Sequence, residues 1–277
     1  MCLFCLHGYL CIMYVPNPSP GPHFFLVPLD KYKGKVPFII TDILNQLENL
    51  KSQENQGIFR IQGQQQDITN LCKELDNGHV TDWSKYNSKA VESAFKKYLE
   101  NLAVFDPLIP ENIEKDIESA VEHIEPDNIG KHLHDLISDK YSNLLSHRST
   151  LAAIFHFFSK VIIPNVEKND MTSSNLSICL SMLFFRRRDV VLSEHLRRSI
   201  EILIEKFDTI FDESWYSPPS EFTMTEDEIE CLGAPLVSIE LAEIELKRRN
   251  YRKDSLIPFY THLTIQPPER EAPKLPD

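Results

Sequence analysis

One arginine sits between two glycines in the run Gly57-Ile58-Phe59-Arg60-Ile61-Gln62-Gly63. A guanidinium is always charged and offers planar, forked donors, and a loop freed by glycines can carry it into a crowded anionic pocket. The bland alternative is an ordinary surface arginine. Two other places hold polar residues in a pattern. Lys96 stands one helical turn before Glu100, and Asn169-Asp170-Met171-Thr172-Ser173-Ser174-Asn175-Leu176 opens a later apolar stripe. Lys96 also reads as a solvated helix lysine and Asn175 as a helix N-cap.

The patterns of self-sufficient enzymes are missing. There is no Gly-x-x-x-x-Gly-Lys-Ser/Thr phosphate loop, no Gly-x-Ser-x-Gly elbow and no His-Glu-x-x-His zinc helix. His132 and His134 lie two residues apart on an expected helix, point in different directions and read as solvated surface. Cys2-x-x-Cys5 has the spacing of half a zinc site, but no second pair follows and apolar residues lie between. Cys72 and Cys179 sit on apolar stripes as small core residues. The six cysteines are otherwise scattered in a chain too large to need disulfide staples, which fits a reducing cytosol. With 29 lysines and arginines against 41 aspartates and glutamates, the net charge of −12 repels nucleic acid and anionic membrane, so the expected partner is a protein.

A chain of 277 residues can bury one sizeable core plus an appendage. The apolar run Met1 to Val15 is shorter than the ~20 residues a spanning helix needs. It also lacks the basic start and cleavage site of a secretory signal. Four prolines and a glycine between Pro16 and Pro22 make a linker. Beyond it the periodicity is helical throughout. Proline opens a helix at Val36-Pro37, with Ile40, Ile43, Leu44 and Leu47 on one face, running to about Leu50. Residues 53–63 read as an irregular loop. Ile68, Leu71, Cys72 and Leu75 form the next stripe, stopped by Gly78. Asn87 or Ser88 caps a helix carrying Val91, Ala94, Phe95, Tyr98, Leu99 and Leu102.

Further stripes follow at Ile113, Ile117, Val121 and Ile124, then at Ile129, Leu133 and Leu136, then from Leu151 to Val161, ended by Pro164. Two more start near Ser173 and Ser193, the latter reaching Ile210. No alternating run competes, so the expected class is all-α, a bundle of about eight or nine helices. After residue 213 the chain turns acidic and proline-bearing. Thr225 with Glu228 suggests a capping box, Ile239 to Arg249 an amphipathic helix, and Pro267 to Pro276 a disordered end.

The Gly-Ile-Phe-Arg loop, the helix lysine and the Asn-x-Met-x-x-x-Asn-Leu segment, in this order and spacing, resemble the RhoGAP family. Phe25-Leu26-Val27-Pro28-Leu29 and the stretch from Leu203-Ile204 to Ile210-Phe211 resemble its first motif and last helix. The resemblance covers about residues 24–213. It divides the chain into an N-terminal segment and linker (1–23), a RhoGAP-like domain (24–213) and an acidic extension (214–277).

The resemblance implies a cytoplasmic GTPase activator, not an enzyme acting alone, whose partner is a Rho-family small GTPase in its GTP-bound state. Arg60 would be the catalytic arginine supplied in trans, offsetting negative charge on the phosphoryl group. Gly57, Lys96 and Asn175 would support the loop or touch the partner. No cofactor is implied, since GTP and magnesium belong to the partner. No nucleic acid is expected, and membrane contact only through the N-terminal segment or the partner. A binding module of the same fold without catalysis is the alternative.

The chain departs from the family pattern at three places. The family arginine four residues after the lysine, which steadies the finger loop, is Glu100 here, reversing the charge. The Leu-Pro-x-Pro-Leu turn becomes Leu102-Ala103-Val104-Phe105-Asp106-Pro107-Leu108, two residues longer, and Ser181-Met182 replaces a Gly-Pro. These mark a divergent member of the family.

Overall fold

The computed structural model describes residues 24–185 and 193–215. The apolar N-terminal run, Cys2-x-x-Cys5, the capping box at Thr225 and the amphipathic helix from Ile239 lie outside the described residues. Ten α-helical segments follow in order: α1 (Phe38–Asn49), α2 (Gln65–Asp76), α3 (Ser88–Phe105), α4 (Glu111–His123), α5 (Ile129–Lys140), α6 (Leu145–His156), α7 (Val166–Asn169), α8 (Ser173–Leu180), α9 (Glu194–Glu205) and α10 (Phe207–Ile210). The last four include two single turns. Among the described residues extended pairing is confined to one isolated bridge, Ile109 with Phe185, so the all-α expectation holds.

Helix α3 runs through the middle of the core. Its stripe of Val91, Ala94, Phe95, Tyr98, Leu99 and Leu102 is fully buried, and it packs against α1 and α2. Helix α9 packs on both α4 and α8, and α5 on α4 and α10. The start of α3 is sharp because the Asn87 side chain accepts the Ala90 N–H at 3.0 Å. It continues to Phe105, through the positions where the family's prolines would halt it. The longer turn then places Asp106, whose carboxylate accepts the Leu29 N–H at 2.6 Å and pairs with His147 Nε2 at 2.9 Å. Asp106 thus ties the turn at Leu29–Tyr32 and α6 to the end of α3.

Pro164 does not end its helix. After α6 the chain widens into a π turn, Phe157–Ile162, passes through a tight turn, Ile163–Asn165, and continues as α7 to Asp170, whose φ of 59° stops it. A proline is tolerated there because it occupies the first turn of a new segment, where its missing N–H costs no bond, and the wider π turn relaxes the crowding behind it. The whole run, Leu145–Asn169, is long and apolar enough by composition to cross a bilayer, yet Leu151, Ile154, Phe155 and Phe158 are fully buried in the core. The stripe from Ser193 also breaks, at Lys206, into α9 and α10. His134, expected at a solvated surface, instead stacks on Trp215 with ring centroids 5.1 Å apart, and its Nδ1 lies 3.0 Å from the Ile210 carbonyl.

One buried polar side chain joins the helices to the loop at 52–63. Asn169 is fully buried, and its amide donates to the carbonyls of Gln53 at 2.8 Å and Ile162 at 3.0 Å while its oxygen accepts the Met171 N–H at 2.8 Å. Its own carbonyl accepts the Gly57 N–H at 2.8 Å. Cutting the side chain would strand three backbone groups in a dry site. Asn169→Ala should therefore lose about 3 kcal/mol of unfolding free energy, read by urea titration; a loss under about 1 kcal/mol would mean that water replaces the amide.

Candidate functional site

Helix α3 presents Lys89, Glu92, Ser93 and Lys96 on one face, because residues three and four apart stack on a helix. The loop from Gly57 to Gly63 lies along that face. Each end is held close. Gly57 has φ +68°, open to glycine without strain, and its N–H reaches the Asn169 carbonyl. At the other end the Gly63 N–H donates to Ser93 Oγ at 3.0 Å. A Cβ on Gly63 would come within 2.7 Å of the Lys89 and Ala90 backbone, so only glycine lets the loop pass this near the helix.

Between the glycines the backbone of Phe59 is left-handed, with φ +65°. For a residue with a Cβ this costs on the order of 1–3 kcal/mol. Three contacts offset it. The Phe59 N–H donates to Glu92 Oε2 at 2.8 Å, Lys96 Nζ donates to the Phe59 carbonyl at 3.0 Å, and the ring is buried against Phe95 and Phe158 with centroids 5.5 and 5.7 Å away. The next residue, Arg60, is exposed, as is Ile61 beside it at 53%.

Glu92 is completely buried. Ser88 donates its hydroxyl to Oε1 at 3.2 Å, and the Lys89 ammonium lies 3.2 Å from Oε2. Burial pushes the Glu92 carboxyl above the ordinary range, opposed by the Phe59 N–H, Lys89 and Ser88, which favour its ionised form. Lys89 also makes a long contact, 3.5 Å, with the Gly57 carbonyl.

Arg60, Gly57 and Lys96 are thus brought together, with Lys96 holding the loop rather than standing in water. Asn175 joins them at one remove: its amide donates to the Asp170 carbonyl at 3.0 Å, and the Asp170 carboxylate accepts Gln56 Nε2 at 3.1 Å. Asn175 is not the cap of α8. That position belongs to Thr172, whose hydroxyl accepts the Asn175 N–H at 3.1 Å, leaving the Asn175 side chain exposed in the first turn. Glu100 pairs with Lys97 at 2.9 Å.

Two residues that shape the site, Glu92 and Asn169, were not singled out from the sequence. Asn169 stood inside the quoted motif, and Glu92 lies four residues before Lys96. That spacing was the available signal. Among the described residues no three His, Cys, Asp or Glu side chains are grouped to hold a metal ion.

Residues 37–189 match the model of the RhoGAP domain, more than half of the chain. The chain belongs to the RhoGAP family, a family of Rho GTPase activators. It is 26% identical over 241 residues to human Rho GTPase-activating protein 29, covering 76% of this chain and 19% of that protein. It is 27% identical over 207 residues to Rho GTPase-activating protein gacN of Dictyostelium discoideum, covering 68% of this chain and 31% of the relative. The chain therefore spans between about a fifth and a third of the length of these relatives. The crystal structure of human Rho GTPase activating protein 15 superposes with a TM-score of 0.57 at 18% identity, over 64% of this chain and 84% of that one. The BH domain of GRAF, the GTPase regulator associated with focal adhesion kinase, gives 0.55 at 22% identity, over 62% and 92%. These two likenesses concern the fold.

Thr172→Ala should cost about 1 kcal/mol in urea unfolding, and Asn175→Ala, which loses one exposed hydrogen bond, about 0.5 kcal/mol. The opposite order would return the cap to Asn175.

Proposed function

We propose that the chain is a GTPase-activating protein that binds a Rho-family small GTPase in its GTP-bound state and stimulates hydrolysis by inserting Arg60. The observation that carries this reading is the exposed arginine placed directly after a residue pinned by backbone and ring alike, in a chain of the RhoGAP family. Phosphoryl transfer shifts negative charge over the transferring group and its leaving oxygen, and a forked cation held ready at that point lowers the barrier without reorganising. The GTPase is the enzyme and Arg60 the group lent to it. GTP and magnesium come with the partner, so the domain needs no cofactor.

Gly57 and Lys96 serve the loop, and exposed Asn175 is free to face the partner from α8. The acidic net charge of −12 disfavours nucleic acid and suits a protein partner met in the cytoplasm. The rival reading is a RhoGAP-fold binding module with weak or no catalysis, favoured by Glu100 where the family carries an arginine.

Single-turnover GTP hydrolysis by a panel of Rho-class GTPases separates the two. Arg60→Ala should keep its affinity for the GTP-bound partner and lose roughly 10²-fold or more of the acceleration. Arg60→Lys should recover little, because an ammonium lacks the fork. Full stimulation by Arg60→Ala removes Arg60 from the chemistry. Binding by the wild-type domain without acceleration of any GTPase selects the binding module.

A further inference from the structure

We propose that Glu92 is a positioning residue for Arg60, its buried carboxylate presetting the arginine loop before any partner arrives. The proposal rests on the reading of Arg60 given above and goes beyond it, since Glu92 touches neither the arginine side chain nor its exposed surface. A carboxylate wholly removed from water is costly unless its oxygens find donors. Here Oε2 takes the Phe59 N–H at 2.8 Å and faces the Lys89 ammonium at 3.2 Å, while Oε1 takes the Ser88 hydroxyl at 3.2 Å. Ser88 is in turn held by the Asn55 amide at 2.9 Å, from the other arm of the loop.

The target of this network is the one strained backbone position beside the arginine. With φ at +65°, Phe59 could relax to the ordinary negative range only by swinging its N–H away from Glu92. Lys96 on the next turn of α3 holds the carbonyl of the same residue. The two side chains grip both backbone polar groups of Phe59, and the peptide that leads into Arg60 is fixed in direction. Lys96 alone would restrain one side only. A loop already ordered spares the partner the entropy of ordering it at the transition state.

The test uses Glu92→Met, which keeps the volume but removes the acceptor; Lys89, 24% exposed, is free to turn to solvent. Lys89 turning outward leaves no lone buried charge, but the Phe59 N–H loses its acceptor, so a urea titration first establishes that the variant is folded under the assay conditions. Saturating Glu92→Met should lower the maximal GTPase rate about tenfold or more, while the half-saturating concentration changes less than about threefold. Glu92→Gln, which restores a carbonyl acceptor, should recover most of the rate. In an Arg60→Ala background Glu92→Met should have no further effect, because it acts through that arginine. A partner-free readout is amide exchange, with the Phe59 N–H protected in the wild type and fast in Glu92→Met.

Wild-type rate in Glu92→Met, an equal loss in the Arg60→Ala background, or equal Phe59 exchange in both proteins would overturn the proposal. Failure of Arg60→Ala to lose activity instead overturns the parent reading, and the exchange measurement still decides whether Glu92 holds the loop.

Discussion

A phenylalanine held in the left-handed region, with its amide on Glu92, its carbonyl on Lys96 and its ring under the floor of the loop, is the constraint around which this domain is arranged. A free loop would relax, since the left-handed conformation is unfavourable for a residue with a Cβ. Keeping it requires a rigid partner surface within hydrogen-bond reach, and a buried helix is such a surface. Helix α3 meets the requirement because its apolar stripe is buried completely while the adjoining face carries Lys89, Glu92, Ser93 and Lys96 toward the loop.

The rest of the bundle keeps α3 and the loop in register. Asn169 spans the gap between the loop and the helical run from α6 to α7, donating to the carbonyls of Gln53 and Ile162. The π turn brings Phe158 under Phe59 and delivers the Ile162 carbonyl to the same asparagine. Asp106 does the corresponding work at the far end of α3, linking it to Leu29 and His147. Asn169 is fully buried and Asp106 partly so, and an unmade bond is expensive away from water, so each restricts how the helices can pack. The longer turn after Leu102 is therefore accommodated by new bonds rather than by a change of fold.

The pairing of Glu100 with Lys97 bears on the reversed charge four residues after Lys96. The backbone of the Arg60 loop is held from α3 by Glu92 and Lys96. Glu92, one turn before Lys96, supplies a grip of opposite sign on the N–H of the same residue, Phe59, whose carbonyl Lys96 holds. Along one face of α3 the anion takes the Phe59 N–H and the lysine its C=O.

Much of this was legible in the residues themselves. The 3.6-residue stripes marked the helices because burial of one face follows from the period, and Asn87, Gly78 and the paired glycines around Arg60 marked their ends and the loop because those residues have few other local uses. What required the tertiary structure was every long-range pairing. Pro164 broke no helix because the turn before it widened, which no local propensity encodes. Thr172 rather than Asn175 took the cap, since polar candidates within one helical turn compete and packing chooses the register. The spacing of Glu92 from Lys96 is a weak mark by itself, because a carboxylate on a helix is most often solvated. Only the burial of that face of α3 against a loop more than thirty residues earlier makes it the acceptor for Phe59. Composition and period thus determine which segments are helical and which side of each is buried. The three-dimensional packing decides which polar groups meet in the interior, because only there is water absent and each donor must find its acceptor in the protein.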